Sequence, residues 1–374
     1  MISKRERRNE FDLIRAYSAL WIVIFHYSYA FVQYGVGGDH IYLMMHANGT
    51  WGALFVSLFF MLSGAALYYN WSSRMTAFRG KGGVLDFYFK RWLAIFPMFY
   101  IAWFIFYLVN AFSFGRLWNW GGPYRKLILT FFGVDGYFMY REMNYYTVGE
   151  WFLGAIIILY ILYPLLQLGM NKAPLISTFI IVFLFGLNVA RRQIPFFAPY
   201  NEWVIISDNI NIITCLMSFW TGMLLVKGGR KLIRSSTVIL SAVTGLVILL
   251  MPLPISTLLS TPILAVCNYI VLSFISIKLD SMRGKWNFTV YDKIVGFFSR
   301  YSFPIFLVHH VIIQKMMALF AGGEFTFIFS IIYFFVILAV ISVSAVMLSK
   351  VTDAAVGLVR SCHGIIGGKE KHDA

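Results

Sequence analysis

In the run Phe11 to Phe31, FDLIRAYSALWIVIFHYSYAF, an otherwise apolar segment carries Asp12, Arg15 and His26. Ten residues lie between Arg15 and His26. On a helix that spacing returns the two side chains to within about 20° of each other, roughly 16 Å apart along one face, with Asp12 on nearly the same stripe. Ionisable groups in a membrane-crossing stretch are costly to bury and mark a cavity, a partner or a site. An imidazole of ordinary pKa, about 6.5, can take a hydroxyl proton near neutral pH. A guanidinium is permanently charged and forked, which suits phosphates or amide carbonyls. Two plainer readings stand beside this chemistry. Arg15 could snorkel to headgroups or pair with Asp12 one turn away, and His26 could be a hydrogen-bonded core histidine.

The elements that must position these groups follow from composition. Of 374 residues, 60% are hydrophobic and 13% charged, against about 25% charged in soluble domains. Repeated apolar runs near 20 residues give an all-α, polytopic membrane helix bundle. The net charge of +15 reads as membrane topology, because basic residues collect on the cytoplasmic side; no nucleic acid partner is expected. Cys215, Cys267 and Cys362 form no disulfide framework or metal-ligand spacing, and no metal is expected. The first apolar run is longer than a signal-peptide core and has no evident cleavage site, so it is read as a retained helix.

About ten spans are expected, at 12–33, 51–70, 92–112, 149–168, 174–190, 205–226, 235–251, 255–277, 300–320 and 325–349. With the N-terminus in the cytoplasm, 23 of the 31 Lys and Arg residues fall inside and six outside, leaving Arg15 and Lys315 within spans. Both termini are therefore placed in the cytoplasm of a multi-pass protein of the cell (inner) membrane. Residues 1–350 form the transmembrane domain and 351–374 a cytoplasmic tail, read as flexible. The long outer segment, about 113 to 148, is rich in Gly and aromatics, including Trp118 and Trp120. These rings either anchor the chain at the headgroups or form a platform on which a sugar stacks.

Further motifs accompany the Arg15–His26 pair: Phe59 to Gly64 (FFMLSG), Phe89 to Pro97 (FKRWLAIFP), Trp151-Phe152-Leu153 with Tyr163-Pro164, and Ser302 to His309 (SFPIFLVH). In this order, from Arg15 to about His310, the chain resembles the acyltransferase 3 family. Those integral-membrane enzymes mostly O-acetylate surface polysaccharides, peptidoglycan or related glycans. The resemblance implies a membrane O-acyltransferase that moves an acyl group, most simply acetyl from cytoplasmic acetyl-CoA, to a sugar hydroxyl of a surface or lipid-linked glycan. Acyl-CoA is donor substrate, with no bound cofactor. The family's frequent fused extracytoplasmic domain has no counterpart here, so a separate partner is an open possibility, and the oligomeric state is not read.

The resemblance also assigns roles. His26 matches the first-span histidine taken to act in acyl transfer, and Arg15 the arginine of the same motif, suited to the donor's phosphates or pantetheine amides. Lys90 and Arg91 match the start of a basic inner-loop motif whose second arginine is here Ala94; they are candidate donor contacts, or simply a basic inner loop. Ser63 with Gly64 is read as packing in preference to a serine nucleophile. Glu150, at the outer mouth, either orients an acceptor hydroxyl or is solvated there. His309 matches the family's ninth-span histidine and is followed by His310; a bond to Ser302 or Ser63 would satisfy it without chemistry. From another class, a transporter or flippase of a glycan intermediate would use the Arg15–His26 stripe as a proton path.

Overall fold

A computed structural model describes residues 8–75, 77–114, 123–141, 143–197 and 208–369, with side chains to 358 apart from Phe114 and Arg192. Trp118 and Trp120 lie outside the described residues. Thirteen described α-helices run in the order α1 Asn9–Tyr34, α2 Trp51–Trp71, α3 Val84–Phe114, α4 Leu127–Phe131, α5 Asp135–Phe138, α6 Glu150–Lys172 and α7 Pro174–Ala190, then α8 Ile212–Gly228, α9 Ser235–Leu250, α10 Thr257–Ser281, α11 Thr289–Arg300, α12 Ser302–Ala318 and α13 Phe327–Lys369. Six described helices (α2, α3, α6, α8, α10 and α13) are long and apolar enough to cross a membrane, and α7, α9 and α12 are apolar but shorter. Exposed apolar side chains such as Leu175 and Phe179 on α7, Leu240 on α9 and Phe335 on α13 are what a lipid-facing surface presents.

The centre of the bundle is α1. It packs on α2, α10, α11 and α12, burying Ile14, Ser18, Val23 and Tyr27. Gly35 ends it in the left-handed region, φ 62°, with its N–H on the carbonyls of Phe31 and Val32, a conformation a side chain would disfavour. Helix α2 starts where the Thr50 hydroxyl accepts from the Ala53 N–H, an ordinary N-cap. Helices α2 and α8 touch backbone to backbone. A Cβ at Gly64 would lie 2.0 Å from the Phe219 carbonyl oxygen, and one at Gly222 1.8 Å from that of Met61. Ser57 and Ser218 bond across the same seam at 2.6 Å. Small residues thus set this crossing, as membrane helices without a hydrophobic drive require, and the packing role expected of the Ser63–Gly64 pair holds for Gly64.

Four boundaries differ from the sequence reading. The expected span 300–320 becomes the shorter apolar α12, Ser302–Ala318, and the loop expected before it carries the amphipathic α11, separated from α12 at Tyr301. Pro304 sits in the first turn of α12, where its missing N–H costs no helix bond. The span expected from residue 205 becomes helical at Ile212 in its described part, and that expected from 92 already at Val84. The last helix runs past 350 to Lys369, so the residues described beyond 350 are helical, where a flexible tail was expected.

Candidate active site

Three helix segments converge inside the bundle. From α1 comes His26, from the first residue of α6 comes Glu150, and from α12 come His309 and His310. The His26 Nε2 lies 3.5 Å from Glu150 Oε2. His309 Nε2 and His310 Nδ1 lie 3.4 and 3.3 Å from Glu150 Oε1. The rings of His309 and His310 stand 5.0 and 4.9 Å from that of His26. Glu150 is only 12% exposed and His309 is fully buried.

The backbone aims Glu150 at these rings. Gly149 has φ 92° and Glu150 itself φ 40°, a sparsely populated region for a side-chain-bearing residue. Gly136 of α5 packs so tightly beneath that a Cβ there would sit 2.3 Å from the Glu150 carbonyl oxygen. Asp135, one residue earlier, is buried and accepts from the Gly136 N–H at 2.9 Å and the Thr130 hydroxyl at 3.1 Å. Burial outweighs those donors and pushes its carboxyl up to about 6. In the same outer segment, burial and then the Glu150 charge push the Tyr140 phenol up to about 12.

Hydrogen bonding fixes the ring faces. His309 Nδ1 lies 2.9 Å from the Phe306 carbonyl and 3.2 Å from that of Ile305. Carbonyls only accept, so Nδ1 carries a proton, and in the neutral form the ring turns a bare Nε2 lone pair toward Glu150. The bond to Ser302 or Ser63 that would have satisfied His309 without chemistry is not made among the described residues; Ser302 donates to the Ser299 carbonyl at 3.1 Å. His310 Nε2 meets the Gln314 amide nitrogen at 3.0 Å. That amide donates, leaving His310 Nδ1–H to face the carboxylate.

Two cavities meet at this cluster, called outer and inner after the orientation expected from the sequence. The outer one, about 520 Å³, is lined by Tyr29, Gln33, Tyr140, Tyr146, His310 and Gln314, among others. The inner one, about 270 Å³, is lined by Arg15, Ser63, Arg91, Ser302, Phe306 and His309, among others. His26, Glu150 and Trp151 line both. Helix periodicity turns His309 and His310 about 100° apart, and the structure sends one to each cavity.

Other sequence candidates sort around this junction. Arg15 lines the inner cavity, with its guanidinium 3.5 Å from Asp12 and 3.3 Å from the Ser299 hydroxyl. Ser299 in turn donates to Asp12 at 2.6 Å. Arg91 joins the inner lining, whereas Lys90 turns to Asp86 at 2.8 Å. The expected solvated alternative for Glu150 is replaced by a carboxylate enclosed by three imidazoles. Sequence reasoning read Tyr140 and Tyr146 only as part of the aromatic outer segment, assigned nothing to Gln314 and left His310 without a role. The Gly149–Glu150 pair at a helix start was the signal available for the inward turn.

His26, Glu150 and His309 offer ligand atoms all within 4.8 Å of one another, a triangle of a size to hold a cation. No curated protein and no solved structure is significantly similar to the chain. A family model described as the acyltransferase domain matches residues 8–349. With nearly the whole chain matched, and the motif residues Arg15, His26 and His309 gathered along two joined cavities, this multi-pass membrane protein belongs to the acyltransferase 3 family.

Proposed function

We propose that the protein is a membrane O-acyltransferase of the cell membrane, crossing ten times with both ends in the cytoplasm. It would move an acetyl group from cytoplasmic acetyl-CoA to a sugar hydroxyl of a surface or lipid-linked glycan. The observation that carries this reading is the meeting of two cavities at one polar cluster. The inner cavity has Arg15 and Arg91 at hand for the donor's phosphates or pantetheine amides, and its volume suits the acyl-pantetheine end better than a whole coenzyme. The outer cavity carries hydroxyl, amide and aromatic side chains, the mixture that binds a sugar. Donor and acceptor therefore approach from opposite faces and share only the junction.

At that junction the His26–Glu150–His309 cluster takes the proton of the acceptor hydroxyl. The oxygen attacks the thioester carbonyl carbon, the tetrahedral oxyanion collapses, the C–S bond breaks, and the thiolate takes up a proton as it leaves. Placing both reactants in one enclosed, low-dielectric spot supplies orientation and strengthens each electrostatic contact. His26→Ala should abolish glycan acylation while leaving the protein inserted and folded, read by mass spectrometry of surface glycans. Product at wild-type levels would remove His26 from the reaction. Release of labelled glycan across the membrane without acetyl-CoA would replace the reading with a transporter.

A further inference from the structure

We infer that the His26–Glu150–His309 triangle is a binding site for one divalent transition-metal ion, zinc in class. The sequence pointed to no metal, because its ligands come from three helices more than 100 residues apart. Two independent observations lead to the site. The first is size: the three ligand atoms lie within 4.8 Å of one another, and Glu150 sits 3.5 and 3.4 Å from the two imidazole nitrogens. Ligands about 2.0–2.2 Å from a tetrahedral zinc stand about 3.3–3.6 Å apart, the separation of the two Glu150–imidazole pairs.

The second is an unmet demand. His309 is fully buried, its Nδ1–H is committed to backbone carbonyls, and its Nε2 makes no hydrogen bond; neither does Glu150 Oε1 opposite it. In the neutral ring two electron pairs then confront each other at 3.4 Å with no hydrogen between them. A cation placed there converts that repulsion into two bonds and neutralises a carboxylate enclosed in the bundle. A ring held by Nδ1–H on a backbone carbonyl, with Nε2 left open, is also the usual posture of a metal-ligating histidine.

Two imidazoles and one carboxylate leave a fourth position open, the arrangement of catalytic rather than structural zinc. The open side adjoins the cavities that His26 and Glu150 line together, which also gives the ion a route in. An ion so placed would polarise an oxygen entering the junction, whether hydroxyl or thioester carbonyl, with the hydroxyl proton then passing to the Glu150 oxygen that the ion leaves free. Its use rests on the acyl-transfer reading, but its binding does not.

The test is made on full-length protein in detergent, with any histidine tag removed. Metal content is measured after purification without chelators. Stripped protein is then titrated with Co²⁺, whose visible absorption reports tetrahedral coordination, and Zn²⁺ is used as competitor. One metal per chain, a tetrahedral Co²⁺ band displaced by Zn²⁺, and its loss in both His309→Ala and Glu150→Gln are expected. The weakening should exceed the ~10–100-fold typical of outer-shell changes. His310→Ala, which removes a neighbour outside the triangle, should keep the band. Wild-type protein that melts cooperatively yet holds no metal and gives no band overturns the site, even where acyl transfer persists. A band in a protein that transfers no acyl group would instead overturn the acyl-transfer reading and leave the site standing.

Discussion

At the scale of single residues, the Arg15–His26 spacing was legible because about three turns of one helix relate them and nothing else has to fold first. Glu150 was not, because its surroundings are made by α1 and α12, far away in sequence. The residues beneath it are open to test. Asp135 is buried with its carboxyl raised from 3.8 to about 6. A raised acid favours the fold in its protonated form, so this contribution is complete below pH ~4, is lost as pH rises through about 6, and is absent at neutrality. The loss is on the order of 3 kcal/mol, at ~1.4 kcal/mol per pKa unit. Asp135→Asn keeps an acceptor for the Gly136 N–H and can donate to the Thr130 hydroxyl. It should raise the melting temperature at pH 7 and flatten its dependence between pH 4 and 6 in detergent; an unchanged pH slope would show that Asp135 does not titrate in that window.

At the scale of elements, apolar run length found most of the helices, yet it could not find their joints. Residues 289–320 read as a basic loop and one span because hydropathy averages across Tyr301, while the break is set by a proline in the first turn and by packing of α11 on α1. The α2–α8 seam was partly readable from Ser63–Gly64, but its other half, Gly222, gave no sign of its partner. Gly222→Ala forces a Cβ to within 1.8 Å of the Met61 carbonyl oxygen. Backbone cannot rotate away as a side chain would, so the cost should be at least the ~1–3 kcal/mol of ordinary overpacking. A clear drop in melting temperature and folded yield is expected, and a wild-type melt would show that the two helices do not cross so closely. Gly136→Ala acts on the other joint, where α5 meets the start of α6. Its Cβ would press on the Glu150 carbonyl and turn the carboxylate from the histidines, lowering turnover by roughly tenfold or more, since small misplacements of reacting groups cost that much or above. The same loss from simple unfolding would be seen in the melt.

At the scale of the whole molecule, the proposed transfer requires that two aqueous faces be served without opening a continuous leak. Among the described residues the inner and outer cavities overlap only at Ile22, His26, Val56, Glu150 and Trp151, so the barrier between them is thin, polar at its centre and flanked by apolar side chains. The division follows depth, the inner cavity being lined from residues 15–26 of α1, 56–67 of α2 and 302–309 of α12 and the outer one from 22–33, 52–60 and 310–314. The chain shows these stretches, but that they enclose two spaces emerges only when the helices are packed. Such a division makes the two substrates separable. Ala94 lies on the lining of the inner cavity and Gln33 on that of the outer one, and both are exposed, so each tolerates a larger side chain without disturbing the core. Ala94→Trp should raise KM for acyl-CoA by about tenfold, a loss of ~1.4 kcal/mol in binding, with KM for the glycan acceptor little changed. Gln33→Trp should do the reverse. Steady-state kinetics of purified protein with both substrates varied would decide it. If each tryptophan raised both constants equally, donor and acceptor would share one entrance, and transfer between opposite faces through the His26–Glu150 junction would be wrong.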